Sequence, residues 1–335
     1  MKRILFCFCL FCMLWSCNIK NKSVEKLPIT DSNKEKITAQ NFFQEQLKFV
    51  KPSSDEPLYY VFVNHEQCFF QILINDMPIF HYFEDGAVMT PIFLNRFINH
   101  SGKQTITYRL YPQTKRADGE GFKELTEYTK IKIELYERNN ADKLQSFDKQ
   151  KLLLIHNSAT KTDGKTFIAE GKDYYEFSFD FDAKVPYNLK GWENSKDLSK
   201  MDQKELLSKT EEAYQYYYNI IKNKKNDDYY RLTFSNLLAQ SVTAFWKDID
   251  LNEVKKEDEK LFNDSTIKLE PLVNYKICKY GNSKVVCLEQ KSNDLRLQKE
   301  SAIWGKNTNE KGGIEANFFK LYLHIPKGKD TFEIL

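Results

Sequence analysis

The chain has 335 residues, 50 Lys and Arg against 47 Asp and Glu, and is 41% hydrophobic. This near balance of charge lacks the clustered basic surface that nucleic-acid binding needs. The runs Lys222-Asn223-Lys224-Lys225 and Lys255-Lys256 are flanked by Asp and Glu, as solvated helix ends are. The length suggests two domains, and the apolar content is enough for each to bury a core.

The chain opens with Met1-Lys2-Arg3, continues through an uncharged apolar run over 4–15, and then reads Ser16-Cys17. A basic start, roughly 7–15 apolar residues and a small residue before the cleavage point make a secretory signal. A bilayer-spanning helix needs about 20 apolar residues, so this run is too short to be one. Leu14-Trp15-Ser16-Cys17 resembles the lipobox of bacterial lipoproteins, with Trp15 standing where a small or aliphatic residue is usual. The resemblance implies removal of the signal peptide 1–16 and attachment of lipid (palmitate or a similar acyl chain) to Cys17, which becomes the membrane anchor. The alternative is an ordinary secretory signal with Cys17 incidental. Each acyl chain contributes about 0.8 kcal/mol per buried methylene, and several together hold firmly.

In that family Asp directly after the lipidated Cys marks inner-membrane retention, and in some lineages an acidic run there marks surface export. Here Asn18 follows Cys17, and Lys20 and Lys22 come next. The resemblance therefore implies a cell outer membrane location facing the periplasm. Residues 17–38 are polar, charged and without periodicity, which suits a flexible tether.

After a short amphipathic helix over 37–50, residues 39–183 read as an all-β sandwich. Runs rich in aromatic and β-branched residues fall at 58–63 and 68–74, the second ending at the turn-forming pair Asn75-Asp76. The run 103–111 alternates Thr105, Thr107 and Arg109 with Ile106, Tyr108 and Leu110. Further strands are expected at 128–136, 151–156, 166–169 and 174–181. Many short strands separated by turn signals indicate a sandwich. The stretch Ile72–Ile79, Pro91-Ile92, Phe97-Ile98 and Ser101–Ile106 is similar to galactose-binding-like jelly rolls. Gln104 stands where that family often has Asn, and no sugar-contacting residue carries over.

Residues 184–200 read as a linker. From 201 to 335 the pattern is α+β, helices first and an antiparallel curved sheet after, an order that resembles the NTF2-like cone. Asp202 with Glu205 three residues on resembles a capping box. Leu206, Thr210, Ala213, Tyr214, Tyr217, Ile220 and Ile221 then recur at helical spacing. A second helix starts near Asn226 or Asp227 and carries Tyr230, Phe234, Leu237, Leu238, Ser241, Phe245 and Trp246. A third spans 252–262. Strands are expected at 267–279, 284–290, 301–305, 316–325 and 331–335.

Outside the leader the cysteines are Cys17, Cys68, Cys278 and Cys287. With Asn282-Ser283 as a two-residue hairpin loop, Cys278 falls opposite Cys287 on a non-hydrogen-bonded pair. The Cα atoms there lie about 4.5 Å apart, near the lower limit for a disulfide, which an oxidising compartment permits. Two buried thiols are the alternative, and Cys68 beside Phe69 and Phe70 reads as a buried thiol.

No nucleophile elbow, zinc-protease, phosphate-loop or dinucleotide motif is present. None of the 5 histidines lies three or four residues from another. The reading therefore assigns no metal, no cofactor and no catalytic residue. His81 lies beside Glu84-Asp85, and Asp118-Gly119-Glu120 is too short for a calcium loop. Asp173, Glu176, Asp180 and Asp182 could pair carboxylates for glycoside hydrolysis, or simply form a polar sheet face. Tyr214, Tyr216, Tyr217 and Tyr218 with Trp246 could line a pocket, or form a helix core. The function expected is a lipid-anchored envelope protein that binds a protein partner or ligand without catalysis. A carbohydrate-binding module, and an enzyme with its site in the C-terminal part, stay open.

Overall fold

The computed structural model describes residues 28–29, 36–51, 53–117, 119–141, 149–309 and 311–335. The expected leader, Cys17 and most of the expected tether lie outside the described residues. In chain order the first half holds α1 (Phe42–Leu47), β1 (Pro57–Glu66), β2 (Cys68–Ile74), β3 (Met77–Tyr82) and β4 (Ile92–Phe93). It continues with β5 (Gly102–Pro112), β6 (Lys115–Arg116), β7 (Gly119–Glu120), β8 (Lys130–Asn139), β9 (Lys151–Asn157) and β10 (Tyr175–Ala183). The second half begins with α2 (Gln203–Lys222), α3 (Asn226–Thr243) and α4 (Asp248–Asn263). Then come β11 (Lys268–Leu269), β12 (Tyr275–Tyr280), β13 (Val285–Gln290), β14 (Trp304–Thr308), β15 (Ile314–Phe318), β16 (Leu323–His324) and β17 (Glu333–Ile334).

These make a mixed fold of antiparallel sheets and helices. Two four-stranded sheets, ordered β4-β1-β8-β9 and β10-β5-β2-β3, come from the first half. Alternation turns one side of each strand inward, and rings from the two sheets meet there, as in Tyr59 with Phe181 and His65 with Phe70. The opposite side of β10-β5-β2-β3 faces the C-terminal sheet β12-β13-β16-β17, with Arg109 over the ring of Tyr280 and His81 paired to Glu300.

The face expected of α2 is observed, whereas α3 ends at Thr243, so Phe245 and Trp246, expected on its face, lie beyond it. Asp202 caps α2 by accepting the N–H groups of Lys204 and Glu205, and the buried residues of α2 run from Leu206 to Ile221 at the expected spacing. Tyr214 lies in the core and ties α2 to the sheet: its hydroxyl donates to the Leu321 carbonyl at 2.6 Å and accepts the Leu288 N–H at 2.8 Å. On α3 the buried set is Tyr229, Tyr230, Leu232, Thr233, Phe234, Ser241 and Thr243, so Leu237 and Leu238 stay half-buried.

The run over 77–82, for which the sequence gives no strand expectation, is a strand despite Pro78, because β3 lies at a sheet edge and Pro78 falls at a register shift, where proline's missing N–H is tolerated. Two expectations need correction. Residues 166–169 form no strand: Phe167 makes a single bridge to Thr160 before a turn, and Phe167 and Ala169 are buried. The short helix expected over 37–50 contracts to α1.

Two further segments are packed rather than loose. Within 184–200, Trp192 and Leu198 are buried, and Lys196 N–H bonds the Ile325 carbonyl. Ile29, inside the span read as a tether, is buried and bridges to Phe332. The buried apolar side chains form one connected core reaching from Ile29 to Ile334.

Candidate functional site

Two hairpin tips meet at the seam between the halves. Asn75-Asp76 places two successive residues at positive φ, the type I′ geometry that Asn and Asp tolerate best, and the other tip places three, Gly281, Asn282 and Ser283. Asp76 accepts the Asn282 N–H on its carboxylate at 2.8 Å and the Gly281 N–H on its carbonyl at 3.0 Å. Gly281 has φ +59°, and a Cβ there would lie 2.5 Å from Cδ1 of Trp192. The indole, 3% exposed, is thus wedged between this tip and the ring of Phe97.

Beside Trp192 opens a cavity of about 490 Å³, whose floor includes Lys103, Thr105 and Thr107 of β5 and Glu176 and Ser178 of β10, part of a ladder of polar pairs across these strands. Glu176 faces Arg109, Ser178 faces Thr107, Asp180 faces Thr105 and Asp182 faces Lys103. Arg109 Nε donates to Glu176 at 2.5 Å, Tyr174 donates its hydroxyl to the same oxygen at 2.6 Å, and Arg109 Nη2 lies 3.6 Å from Asp76. Burial pulls the Glu176 carboxyl up, but Tyr174 and Arg109 together hold it below the usual range. At Asp76 burial wins, and its carboxyl is raised. Asp180 pairs with Lys103 at 2.7 Å and accepts from Thr105. The carboxylates set out for glycoside hydrolysis therefore form the polar face of a sheet here. Asp173 and Asp182 join no ion pair in this cluster.

A second cavity of about 770 Å³ shares Asn99, His100, Trp192 and Glu193 with the first, so the two form one cleft. Its far wall carries Arg96, Lys190, Asn236, Gln240, His324 and Lys327. Asn99 donates to Glu193 at 2.5 Å. His324 Nδ1 is bonded to the Ser195 hydroxyl at 2.7 Å, and burial lowers its pKa to about 4, so the ring is neutral near pH 7. Gln104 is a structural plug: 2% exposed, it accepts from Asn75 and donates to the carbonyls of His100 and Gly102.

Cys278 and Cys287 are register partners on β12 and β13. Both are free thiols, as is Cys68. They lie beside Glu289, 4% exposed, which accepts the Tyr280 hydroxyl and has Lys299 and Lys276 at 3.9 and 4.0 Å. Burial and then Glu289 push the Cys278 thiol up to about 12 and Cys287 well above its ordinary value, so neither is a ready nucleophile. Asp85, near His81, is occupied by the N–H of Ala117 and by Gln113, and among the described residues no cluster could hold a metal ion. No helix of the described residues is long and apolar enough to cross a membrane. Asp118 lies outside the described residues. The cleft residues Trp192, Glu193 and Arg96 come from single 3-10 turns and Asn99 from the connection after one of them, all too short to carry a periodic signal. A sequence reading could only note a Trp beside Gly191 in a stretch read as linker.

No family model, no curated protein and no solved structure matches this chain.

Proposed function

We propose that this is a lipid-anchored envelope protein, held through Cys17 at the periplasmic face of an outer membrane, whose folded body binds a polar, hydroxylated ligand in the cleft beside Trp192 without transforming it. The anchoring rests on the resemblance of residues 1–17 to a lipoprotein signal. The binding reading rests on one observation: the cleft's acidic side chains are already held by protein donors. Glu176 is engaged by Arg109 and Tyr174, Asp76 by Asn282 and Arg109, and Glu193 by Asn99. Groups so engaged are poor general acids or bases, while hydroxyls and amides beside an indole suit sugar-like molecules. The architecture we favour is a β-sandwich over 39–183 joined by 184–200 to an α+β unit over 201–335, with the cleft on their seam.

A protein partner is the second reading. It is favoured by the adjoining edges of the first two sheets, where Leu152, Ile155 and Phe177 are 45%, 48% and 39% exposed on strands with one unpaired side. Exposed apolar edges of this kind mark interaction surfaces.

Native mass spectrometry of the full chain extracted in mild detergent tests the ligand reading. A retained hydroxylated small molecule, lost in a Ser178→Trp variant that fills the cleft, is the expected result. No retained mass, together with no thermal shift from a panel of mono- and oligosaccharides, counts against it.

A further inference from the structure

Arg96 and Arg138 both line a smaller, open cavity of about 390 Å³, walled by Leu58, Phe93, Trp246 and the C-terminal end of α3. Three other arginines sit on carboxylates: Arg109 on Glu176 at 2.5 Å, Arg231 on Asp228 at 3.1 Å and Arg296 on Asp294 at 2.7 Å. Neither Arg96 nor Arg138 makes such a contact among the described residues. Each guanidinium lies over an aromatic ring instead, Arg96 at 5.3 Å from the centroid of Phe97 and Arg138 at 5.8 Å from that of Phe93. Nε of Arg138 is buried with no acceptor among the described residues. The one acid on the cavity wall, Asp250, is occupied by the Lys247 N–H at 2.8 Å, at the start of α4.

Two donor-only, permanently charged groups taken partly out of water without acceptors are costly to hold. An oxyanion can satisfy both at once, since a planar guanidinium matches a carboxylate or phosphate edge. The rest of the wall sets what must be attached to that oxyanion. Leu58, Phe93, Ala244 and Trp246 make it apolar and partly aromatic, and the volume lies within the range of small-molecule sites.

We infer that this cavity binds an organic anion, with its oxyanion head between Arg96 and Arg138 and an aryl or short acyl body against Phe93 and Trp246. The inference does not depend on what the larger cleft holds. Arg96 and Gln240 line both spaces, but Arg138, Phe93 and Trp246 face only the smaller one.

Calorimetric titration of the full chain with a phenylalkanoate series and the matching phenylalkanols tests it. Saturable binding of at least one acid is expected, with its alcohol about tenfold or more weaker, as befits loss of a charge-assisted bond. Arg138→Gln should weaken the acid about tenfold or more while leaving the alcohol unchanged, and Arg96→Lys, which keeps charge but loses the fork, should fall between. Circular dichroism establishes that each variant is folded, and the acid-to-alcohol comparison in the unaltered chain needs no variant. Equal binding of acid and alcohol, or no saturable binding by any acid at millimolar concentration, overturns the inference.

Discussion

The Asp76 carboxylate accepts the backbone N–H of Asn282, 206 positions along the chain, at 2.8 Å, while the Asp76 carbonyl takes the neighbouring Gly281 N–H at 3.0 Å. Both contacts join the tip of one hairpin to the tip of another, and together they set the edge of the cleft against which Trp192 is wedged. Asp76→Ala removes the side-chain acceptor of an exposed N–H that water can then reach, so the loss is that of an ordinary hydrogen bond, about 0.5–1.5 kcal/mol. The urea midpoint should fall accordingly, and Asp76→Asn, which keeps a carbonyl oxygen, should fall less.

Gly281→Ala should be worse than its size suggests. A left-handed backbone costs a non-glycine residue about 1–2 kcal/mol, and here the new methyl would also meet the Trp192 ring. Thermal unfolding should show the loss, and Trp fluorescence should shift as the indole is displaced. An Ala variant as stable as the parent would contradict the packing described.

Burial lowers the pKa of His324 to about 4, against about 6.5 in an unfolded chain. Between these values the unfolded state binds the extra proton, so stability falls as pH falls. The contribution is fully present above about pH 6.5 and lost progressively toward about pH 4. Burial lowers His65 and His156 too, so the parent chain carries several such terms. The informative quantity is the difference between the parent and a His324→Asn variant, measured by urea unfolding across that window. It should shift in the variant's favour as the solution is acidified, and a difference that stays constant would show that His324 is not the group titrating.

Cys68, Cys278 and Cys287 should resist alkylation in the folded chain, since burial raises all three thiols. Unfolding in urea without reductant should expose Cys68 to labelling in either case. Label on Cys278 and Cys287 under the same conditions reports an open pair, and a mass gain of two hydrogens on reduction reports a bridged one. Fast labelling of the folded protein would contradict the burial.

If Cys17 carries the proposed lipid anchor, replacing it by Ser should move the body from the membrane to the soluble fraction, because the acyl chains would supply the anchoring free energy. Fractionation followed by immunoblotting reads this directly, and a variant that stays with the membrane would remove lipid as the anchor.

What the sequence determined by itself was local. Asp202 and the apolar positions from Leu206 to Ile221 define α2 because helical spacing and a cap are properties of neighbouring residues. The opposition of Cys278 and Cys287 is the register that a turn centred on Asn282-Ser283 predicts, and the turn closes with Gly281 left-handed as well. Alternation put Arg109, Thr107 and Thr105 on one face of β5. The tertiary structure decided what those faces meet. Pro78 is tolerated because β3 is an edge, and edge or centre is a property of the sheet. The segment 184–200 reads as a linker by composition, yet Trp192 and Leu198 are buried because both halves close on it. The cleft and the Arg96–Arg138 cavity gather side chains from strands, helices and connections far apart in the chain. Whether an arginine there finds a carboxylate is settled by packing, a long-range outcome that no periodicity or spacing along the chain encodes.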